Sequence, residues 1–205
     1  MPSDAELLTE WRAGEASAGQ ALFERYFDQV TRFFINKIPD DHEDLIQETF
    51  IACVKGRDRL RRDTRFRSYL FSTAYNVLKK HYGRICDPRM AQPLESQSAE
   101  DLSPGPSTLL RNDERARLLL EALRRIPLEQ QVVLEMTYWE GMSSAEIGEV
   151  LGLPSATVRT RAYRGRDKLL DLLSRAAEGE DDRALDPQRL DALASRVRGL
   201  MDGEL

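Results

Sequence analysis

The sequence is poor in the residues that bind metals and form disulfides. Its 205 residues include two cysteines, Cys53 and Cys86, and two histidines, His42 and His81. The cysteines are not in a CxxC pair, and the histidines form no ligand cluster with them. This spacing excludes a disulfide scaffold and a zinc finger and indicates no metal site. We therefore expect neither a metal nor another cofactor.

Long apolar runs and strand patterns are also lacking. No segment approaches the roughly 20 apolar residues that span a bilayer, and the N-terminus, MPSDAELLTE, has no basic and then apolar signal pattern. No stretch alternates apolar and polar residues, and the chain is 7% aromatic, 41% apolar and 32% charged. This composition is typical of a soluble helical protein with room for two small domains. We expect an all-α, cytoplasmic protein without membrane insertion.

Patterns that supply catalysis are missing as well. The sequence has no nucleophile and base at a recognisable spacing, no glycine loop that would bind phosphates and no metal cage. It therefore offers no catalytic residues, and we expect a protein that is not an enzyme. The net charge of -5 argues against nucleic-acid binding only if the charge is evenly mixed. It is segregated instead, and local patches decide binding.

The segment from Ser143 to Leu173 has the pattern of a helix-turn-helix. Ser143 followed by Glu146 is a capping box that begins a helix. Gly152 supplies the positive φ at which a helix ends, and Pro154 suits the start of the next helix. Two helices at a steep angle are predicted, an arrangement that DNA-binding proteins use to place the second helix in the major groove.

The second of these helices has one apolar and one polar face. The residues predicted to face the core are Val158, Ala162, Gly165, Leu169 and Leu172. The residues predicted to point outward together are Ser155, Ala156, Arg159, Thr160, Tyr163 and Arg164. Arginine can contact guanine edges, and Arg161, Arg166 and Lys168 are placed for phosphates. Residues 159–175 carry six cations and two acids, which favours DNA binding over the alternative of an arginine-rich solvated helix.

The N-terminal half is predicted to be a helical bundle. The expected helices are Asp4–Ala13, Ala18–Lys37, His42–Gly56 and Phe66–Tyr82. The predicted core of the second helix is Phe23, Tyr26, Phe27, Val30, Phe33, Phe34 and Ile38, and that of the third is Ile46, Phe50, Cys53 and Val54. The recurrence of apolar residues at three and four positions indicates these buried faces.

Two polar segments of this half are candidates for binding. Residues 55–84 hold ten Lys and Arg against two Asp, interleaved with Phe66, Tyr69, Tyr75 and Tyr82. Aromatic faces beside cations suit single-stranded DNA, although core packing is the alternative for the aromatics. The second segment is EDLIQETF, in which Asp44, Gln47 and Glu48 share an exposed face that would otherwise be an ordinary solvated one.

The remaining segments differ in composition. Residues 86–113 are rich in Pro, Ser and acid, which predicts a flexible linker that buries little surface. Residues 114–175 form a second helical unit. Residues 176–205 hold eight acids against four Arg and an apolar stripe comprising Leu190, Leu193, Ala194, Val197 and Met201. We expect a short helix beginning near Pro187 that docks on one of the two domains or on a partner; a disordered acidic tail is the alternative.

Three segments in order resemble one family. They are EDLIQETF, FRSYLFSTAYNVLKKHYGR (66–84) and ALRRIPLEQQVVLEMTYWEGMSSAEIGEVLGLPSATVRTRAYRGRDKL (122–169). Over about residues 5–175 the chain is similar to bacterial sigma-70 factors of the extracytoplasmic-function (ECF) group. The resemblance implies sigma region 2 at 1–85, a linker at 86–113, sigma region 4 at 114–175 and a C-terminal extension at 176–205 outside the family pattern.

The resemblance also implies partners and site residues. A sigma factor binds core RNA polymerase, through the beta-prime clamp helices and the beta subunit, and directs it to promoter DNA; an anti-sigma factor is a further candidate partner. The residues implied for polymerase binding are Asp44, Gln47 and Glu48. Those implied for the -10 element are Arg61, Arg62, Arg65, Phe66, Asn76, Lys79, Lys80 and Arg84. The outward face of the second helix falls where the family reads the -35 element. Gly148 departs from the family pattern, which often has Ala there.

Two other classes share part of this pattern. A response-regulator activator carries a similar helix-turn-helix, and a DNA recombinase would be an enzyme with a catalytic Ser and several Arg. Both require an upstream domain with β-strands. The N-terminal half shows no strand pattern, which favours the sigma factor.

Overall fold

The computed structural model describes residues 1–38, 40–60, 65–85, 96–102, 113–176 and 187–204, and within these ranges the chain is helical without strands. The helices are α1 (Asp4–Ala13), α2 (Ala16–Ile35), α3 (His42–Gly56), α4 (Phe66–Ile85), α5 (Ala99–Leu102), α6 (Glu114–Arg125), α7 (Leu128–Tyr138), α8 (Ser144–Leu151), α9 (Ser155–Ala176) and α10 (Pro187–Glu204). The all-α prediction is confirmed. No helix of the described part has the length and apolarity to cross a membrane.

Helices α1 to α4 form the N-terminal bundle. Helix α1 begins with a capping box between Ser3 and Glu6 and ends at Gly14, whose φ of 110° is one that glycine adopts readily. Trp11 of α1 packs edge-on against Phe23 of α2 and Phe66 of α4, with ring centroids 5.4 and 6.1 Å apart. These aromatic contacts join three helices around one core.

Two residues predicted for this core are exposed. Phe27 and Val54 each leave 50% of their surface accessible, so their predicted burial is wrong. The ring of Phe27 stacks on Phe50 at 6.2 Å, at the edge of the bundle. In α3 the buried residues are Leu45, Ile46, Thr49 and Cys53. The buried face of α3 is therefore rotated away from Val54 and toward Leu45 and Thr49.

Part of the predicted linker packs on the protein. Within residues 96–102, Ala99 and Leu102 of α5 are buried. The amide of Leu128 donates to the carbonyl of Gln97 at 2.7 Å, and Arg125 pairs with Glu100 at 3.1 Å. The prediction that this stretch buries little surface is wrong for Ser98, Ala99 and Leu102, which are buried where α5 packs against α6. The remainder of the predicted linker lies outside the described residues, apart from Asp113, the N-cap of α6.

Helices α6 to α9 form the C-terminal bundle, which contains the helix-turn-helix. The predicted capping box is present: Ser143 and Glu146 bond reciprocally, with the Ser143 amide 2.9 Å from the Glu146 carboxylate. Gly152 has the predicted positive φ, 68°. A side-chain carbon at Gly148 would lie 2.6 Å from the Leu153 carbonyl oxygen. The backbone of the turn thus approaches α8 so closely that a side chain at position 148 would collide with it. This position, which departs from the family pattern, therefore requires glycine.

Helix α10 lies on the C-terminal bundle against α6, α7 and α9. Its buried side chains are Leu190, Ala194, Val197 and Met201, and they join the apolar cluster that contains Trp139 and Leu169. Arg196 pairs with Asp113, the N-cap of α6, at 2.5 Å. The predicted docking of a C-terminal helix on one of the two domains is confirmed by this packing.

The two bundles are packed against each other. One continuous apolar cluster includes Leu70 and Ala74 of α4 together with Met142, Ile147 and Val150 around α8. Helix α8 lies against α4. The side chains that would line two separate domain surfaces therefore share one interior.

Candidate nucleic-acid interface

The outward face of α9 is accessible along its first turns. Ala156, Arg159, Thr160, Tyr163 and Arg164 are all exposed, and 71% of the Tyr163 surface is accessible. Ser155, at the first position of α9, is half-buried, and its hydroxyl lies 3.4 Å from an Arg159 guanidinium nitrogen. Two guanidinium groups, a hydroxyl and an aromatic ring thus form one surface that a DNA groove can accept.

Two of the arginines predicted to contact phosphates, Arg161 and Arg166, instead contact α7. The Arg161 guanidinium pairs with Glu129 of α7 at 2.7 Å. The Arg166 Nε donates to the Tyr138 hydroxyl at 2.9 Å, and its guanidinium lies over the Tyr138 ring. Lys168 is exposed as predicted. Arg161 and Arg166 thus fasten α9 to α7, and the exposed cations of the recognition face are Arg159 and Arg164.

The basic face of α4 holds most of the residues implied for the -10 element. Asn76, Lys80 and Arg84 are exposed, and the Lys79 ammonium lies 5.0 Å from the Tyr75 ring centroid. Arg65, directly before α4, is exposed too. The other two implied residues, at 61 and 62, lie outside the described residues.

The aromatic residues of α4 are mostly unavailable to bases. Phe66, Tyr75 and Tyr82 are buried, and the Tyr82 hydroxyl donates to the Lys37 carbonyl at 2.9 Å. The prediction that these rings stack on single-stranded bases is wrong, and Phe66 in particular packs against Trp11. The rings pack in the apolar interior of the bundle instead, which is the alternative that the sequence left open.

Two of the three residues predicted to bind polymerase lie on the exposed face of α3. Asp44 and Gln47 are exposed, and the accessible Ile51 lies along the same side of the helix. Glu48 instead faces α4, where it pairs with Lys80 at 2.8 Å and lies 3.8 Å from Arg84. The hydrogen bond from Lys80 lowers the pKa of the Glu48 carboxyl. Glu48 therefore links the predicted polymerase-binding face to the basic face of α4.

A buried polar network between the bundles was not predicted. Lys37, two residues after the end of α2, pairs with Glu135 of α7, and both side chains are almost fully buried. Arg32 of α2 pairs with Glu140 at 3.2 Å, also in the interior. Arg67 of α4 donates to the Glu140 carbonyl. No local pattern signals these contacts, because the partners are about a hundred residues apart and are of types usually found at the surface.

Burial dominates the protonation of this network. It raises the pKa of Glu135 and of Glu140, and it lowers the pKa of Lys37, in each case against the opposing effect of the ion-pair partner. The loss of water around these groups thus outweighs their mutual attraction. A buried ion pair of this kind adds little net stability to the contact between the bundles.

Metal or thiol chemistry has little basis in the described residues. No group of three or more His, Cys, Asp or Glu in this part of the chain is arranged to hold a metal ion. Cys53 is a free, buried thiol, and burial raises its pKa to about 12. Such a thiol is a poor nucleophile near neutral pH.

The chain matches two protein families. Residues 22–84 match sigma-70 region 2 and residues 116–169 match sigma-70, region 4. The chain is 26% identical over 176 residues to the ECF RNA polymerase sigma-E factor of Escherichia coli K12, covering 82% of this chain and 92% of that one. It is 27% identical over 171 residues to the RNA polymerase sigma factor CarQ of Myxococcus xanthus, covering 81% and 95%.

Solved structures give the same likeness. The structure of CnrH in complex with the cytosolic domain of CnrY is similar with a TM-score of 0.62 at 26% identity, covering 85% of this chain and 99% of that one. The sigma factor RpoE of Bartonella quintana, solved with the anti-sigma factor NepR, has a similar fold with a TM-score of 0.57 at 18% identity, covering 76% and 96%.

Proposed function

Because the chain belongs to the ECF group of the sigma-70 family and is a transcription initiation factor that directs RNA polymerase to promoters, we propose that α9 reads the -35 element. The observation that carries this proposal is the exposed face of Arg159, Thr160, Tyr163 and Arg164. A guanidinium group can form two hydrogen bonds to a guanine edge, and a hydroxyl can bond to either base class. The exposed Lys168 would contact the DNA backbone.

The N-terminal bundle, as sigma region 2, would bind the -10 element along α4. Asn76, Lys80 and Arg84 are its exposed polar side chains, and with Arg65 they form a track for a phosphate backbone. Phe66 would hold the start of α4 in the bundle rather than stack on a base, since its ring is in the core. Glu48 would compete with phosphates for Lys80 and Arg84 and so moderate their affinity for DNA.

Core RNA polymerase would dock on the exposed face of α3. Asp44 and Gln47 supply polar contacts there, with Ile51 adding accessible apolar surface. Charged groups at a rim set the rate of association, and apolar groups supply affinity. The catalysis of RNA synthesis would belong to the polymerase, as sigma factors in general act by binding. The factor would accordingly work in the cytoplasm, where polymerase and promoter DNA meet.

An anti-sigma factor is a further proposed partner. CnrH and the Bartonella quintana RpoE were each solved with a second protein, the cytosolic domain of CnrY and the anti-sigma factor NepR. This chain has a similar fold, and its exposed Phe27, Ile51 and Val54 offer apolar surface for such a protein. The same surface would then be closed to polymerase.

Transcription in vitro tests the -35 assignment. Purified core polymerase and this factor would be incubated with a library of randomised promoters, and the transcribed templates sequenced. Arg159→Ala should relax the preference at one -35 base pair and weaken use of the best promoter by about 5- to 150-fold, equivalent to about 1–3 kcal/mol for a bidentate contact. Arg175→Ala is the matched control, since Arg175 is exposed on the last turn of the same helix. An equal loss on preferred and scrambled templates would assign Arg159 to phosphate binding instead.

A further inference from the structure

Helix α9 crosses α7 at Gly165. A side-chain carbon at this glycine would lie 3.0 Å from the Gln130 Cβ and 3.2 Å from the Leu134 Cδ1 of α7. The two helices are therefore in close contact at this point. A contact at a glycine fixes the distance between two helices, whereas their crossing angle depends on the side chains that surround the contact. The orientation of the recognition helix thus depends on the residues on either side of Gly165.

Two arginines hold α9 to α7 on either side of this crossing. Arg161 pairs with Glu129, in the first turn of α7, at 2.7 Å. The Arg166 Nε donates to the hydroxyl of Tyr138, the last residue of α7, at 2.9 Å. Glu129 and Tyr138 are about 13 Å apart along the α7 axis at ~1.5 Å per residue. Two attachments separated by this distance determine both the crossing angle and the roll of α9.

Arg166 lies on the same side of α9 as part of its reading face. Arg159, Tyr163 and Arg166 follow one another at spacings of four and three residues, which places them one above the other on a helix. Groups that bind a ligand must be held within about 0.5 Å of their productive position. A shift of Arg166 that rolls α9 would therefore move Arg159 and Tyr163 away from the base edges.

Helix α10 packs against the side chain of Tyr138. Leu190 and Ala194 of α10 are buried. Together with Tyr138 and with Leu169 of α9, they line one small cavity. Because Leu190 and Ala194 are one turn apart, they present a continuous apolar surface to α7 and α9. Without α10, this side of Tyr138 would be exposed to water, and its side chain could adopt other rotamers.

The Tyr138 hydroxyl connects α10 to α9. Burial raises the pKa of this hydroxyl, and a hydrogen bond with the Asp191 carboxylate of α10 raises it further, against the opposing charge of Arg166. The hydroxyl therefore keeps its proton at neutral pH. A protonated tyrosine can donate to a carboxylate while it accepts from a guanidinium. Asp191, Tyr138 and Arg166 thus form a continuous chain of contacts from the C-terminal extension to the recognition helix.

We propose that α10 is an integral part of the -35-reading domain of this factor, in which Asp191 acts as a positioning residue for α9 through Tyr138 and Arg166. This inference rests on the proposed assignment of α9 to the -35 element. Helix α10 lies beyond residues 116–169, the part that matches sigma-70, region 4. A segment outside the family pattern therefore contributes to promoter selectivity without itself contacting a base.

Selective transcription by the holoenzyme tests this role. Two templates share one -10 element and differ only in the -35 element, which is either the sequence selected from the randomised library or a scrambled one. The measured quantity is the ratio of the initial transcription rates on the selected and the scrambled template at limiting holoenzyme. Tyr138→Phe removes the hydroxyl but keeps the ring, and it should lower this ratio by about threefold or more. Asp191→Ala should lower the ratio as well, by about twofold or more.

Matched variants separate positioning from folding. Asp191→Asn keeps an acceptor for the Tyr138 hydroxyl and should retain most of the parent ratio. Asp171→Ala removes a carboxylate from an exposed pair with Arg175 near the end of α9 and should leave the ratio unchanged. A loss of folded protein lowers the rates on both templates together and leaves their ratio intact. The double variant of Tyr138→Phe and Asp191→Ala should be no less selective than Tyr138→Phe alone, because both changes act through one hydroxyl.

The outcomes distinguish this inference from the proposed function. A parent that transcribes both templates equally would refute the -35 assignment, and this inference with it. A selective parent whose ratio is unchanged by Tyr138→Phe and Asp191→Ala would overturn the inference alone. Losses of selectivity that multiply in the double variant would show that Asp191 does not act through Tyr138, and they would overturn it too.

Discussion

The buried pair Lys37 and Glu135 gives the sharpest test of how the bundles are held. Lys37→Met leaves the Glu135 carboxylate in the interior without its cation, although Gln131 still donates to it at 2.8 Å. Removing one partner of a buried ion pair costs about 3–5 kcal/mol, a large part of the roughly 5–15 kcal/mol that stabilises a domain. Glu135→Gln keeps an acceptor for Gln131, so we expect it to lose less.

The double variant separates pairing from burial. With Lys37→Met and Glu135→Gln together, no charge remains at the site, and the carbonyl oxygen of the new amide can still accept from Gln131. We expect the double variant to be more stable than the sum of the single losses predicts, by about 2–3 kcal/mol of coupling. Its stability should approach or exceed that of the parent, because two buried charges that resist desolvation have been removed.

The pH dependence gives an independent check. Burial raises the pKa of Glu135 above its ordinary value of 4.5, and loss of the Lys37 cation raises it further. At a pH above 4.5 and below the raised pKa, Glu135 of the folded Lys37→Met protein therefore holds a proton that Glu135 of the unfolded chain has released. Its free energy of unfolding therefore falls as pH rises, so its deficit relative to the parent should be smaller at about pH 5 than at about pH 7.

Urea unfolding followed by far-ultraviolet circular dichroism measures all four proteins. The midpoints and slopes together give the free energy of unfolding in water. Single losses that add to within about 0.5 kcal/mol in the double variant would mean that the two groups do not interact. A deficit of Lys37→Met that grows on acidification would show that the carboxylate is not desolvated. Either result would refute the account of the contact given above.

Two further changes address the polymerase-binding face and the C-terminal extension. Asp44→Lys should slow holoenzyme assembly by about 10-fold or more at low salt, because it reverses an exposed charge in the proposed interface. Glu10→Lys on α1 is the control and should have no effect. Surface plasmon resonance with core polymerase measures the association rate of both variants, and equal rates would remove Asp44 from the interface. Val197→Asp should detach α10 and cost about 2–4 kcal/mol, since it places a carboxylate at a fully buried position. Ala192→Asp, at an exposed position of the same helix, is the control. Amide exchange over residues 187–201 that stays protected in Val197→Asp would contradict this docking.

Local chemistry in the sequence predicts the helix-turn-helix well. The Ser143 capping box and the positive φ of Gly152 depend on nearby residues alone, and both are present. The outward face of α9 follows from helical periodicity, which identifies Arg159 and Arg164 as exposed. Periodicity cannot show that Arg161 has a partner on another helix, and its pairing with Glu129 was therefore missed.

Tertiary contacts account for most of the remaining errors. Phe27 and Val54 have apolar side chains at helical spacing, but the apolar face of α2 and α3 is narrower than the pattern suggests. Phe66 was assigned to DNA from its basic neighbours, although its own side chain is better accommodated by the core. Lys37 is a residue type almost never fully buried. Its interior position depends on Glu135, a partner 98 residues away.

The shared apolar cluster limits how this protein can be recombined with its relatives. A chimera that takes α6 to α9 from another sigma factor would keep a complete helix-turn-helix, since the turn and its caps are local. It would lose the match between Lys37 and Glu135 and between Ser68 and Glu149, because one partner of each pair comes from each half. We therefore expect promoter preference to transfer with the C-terminal half, whereas the packing of the two bundles requires both halves to come from one protein.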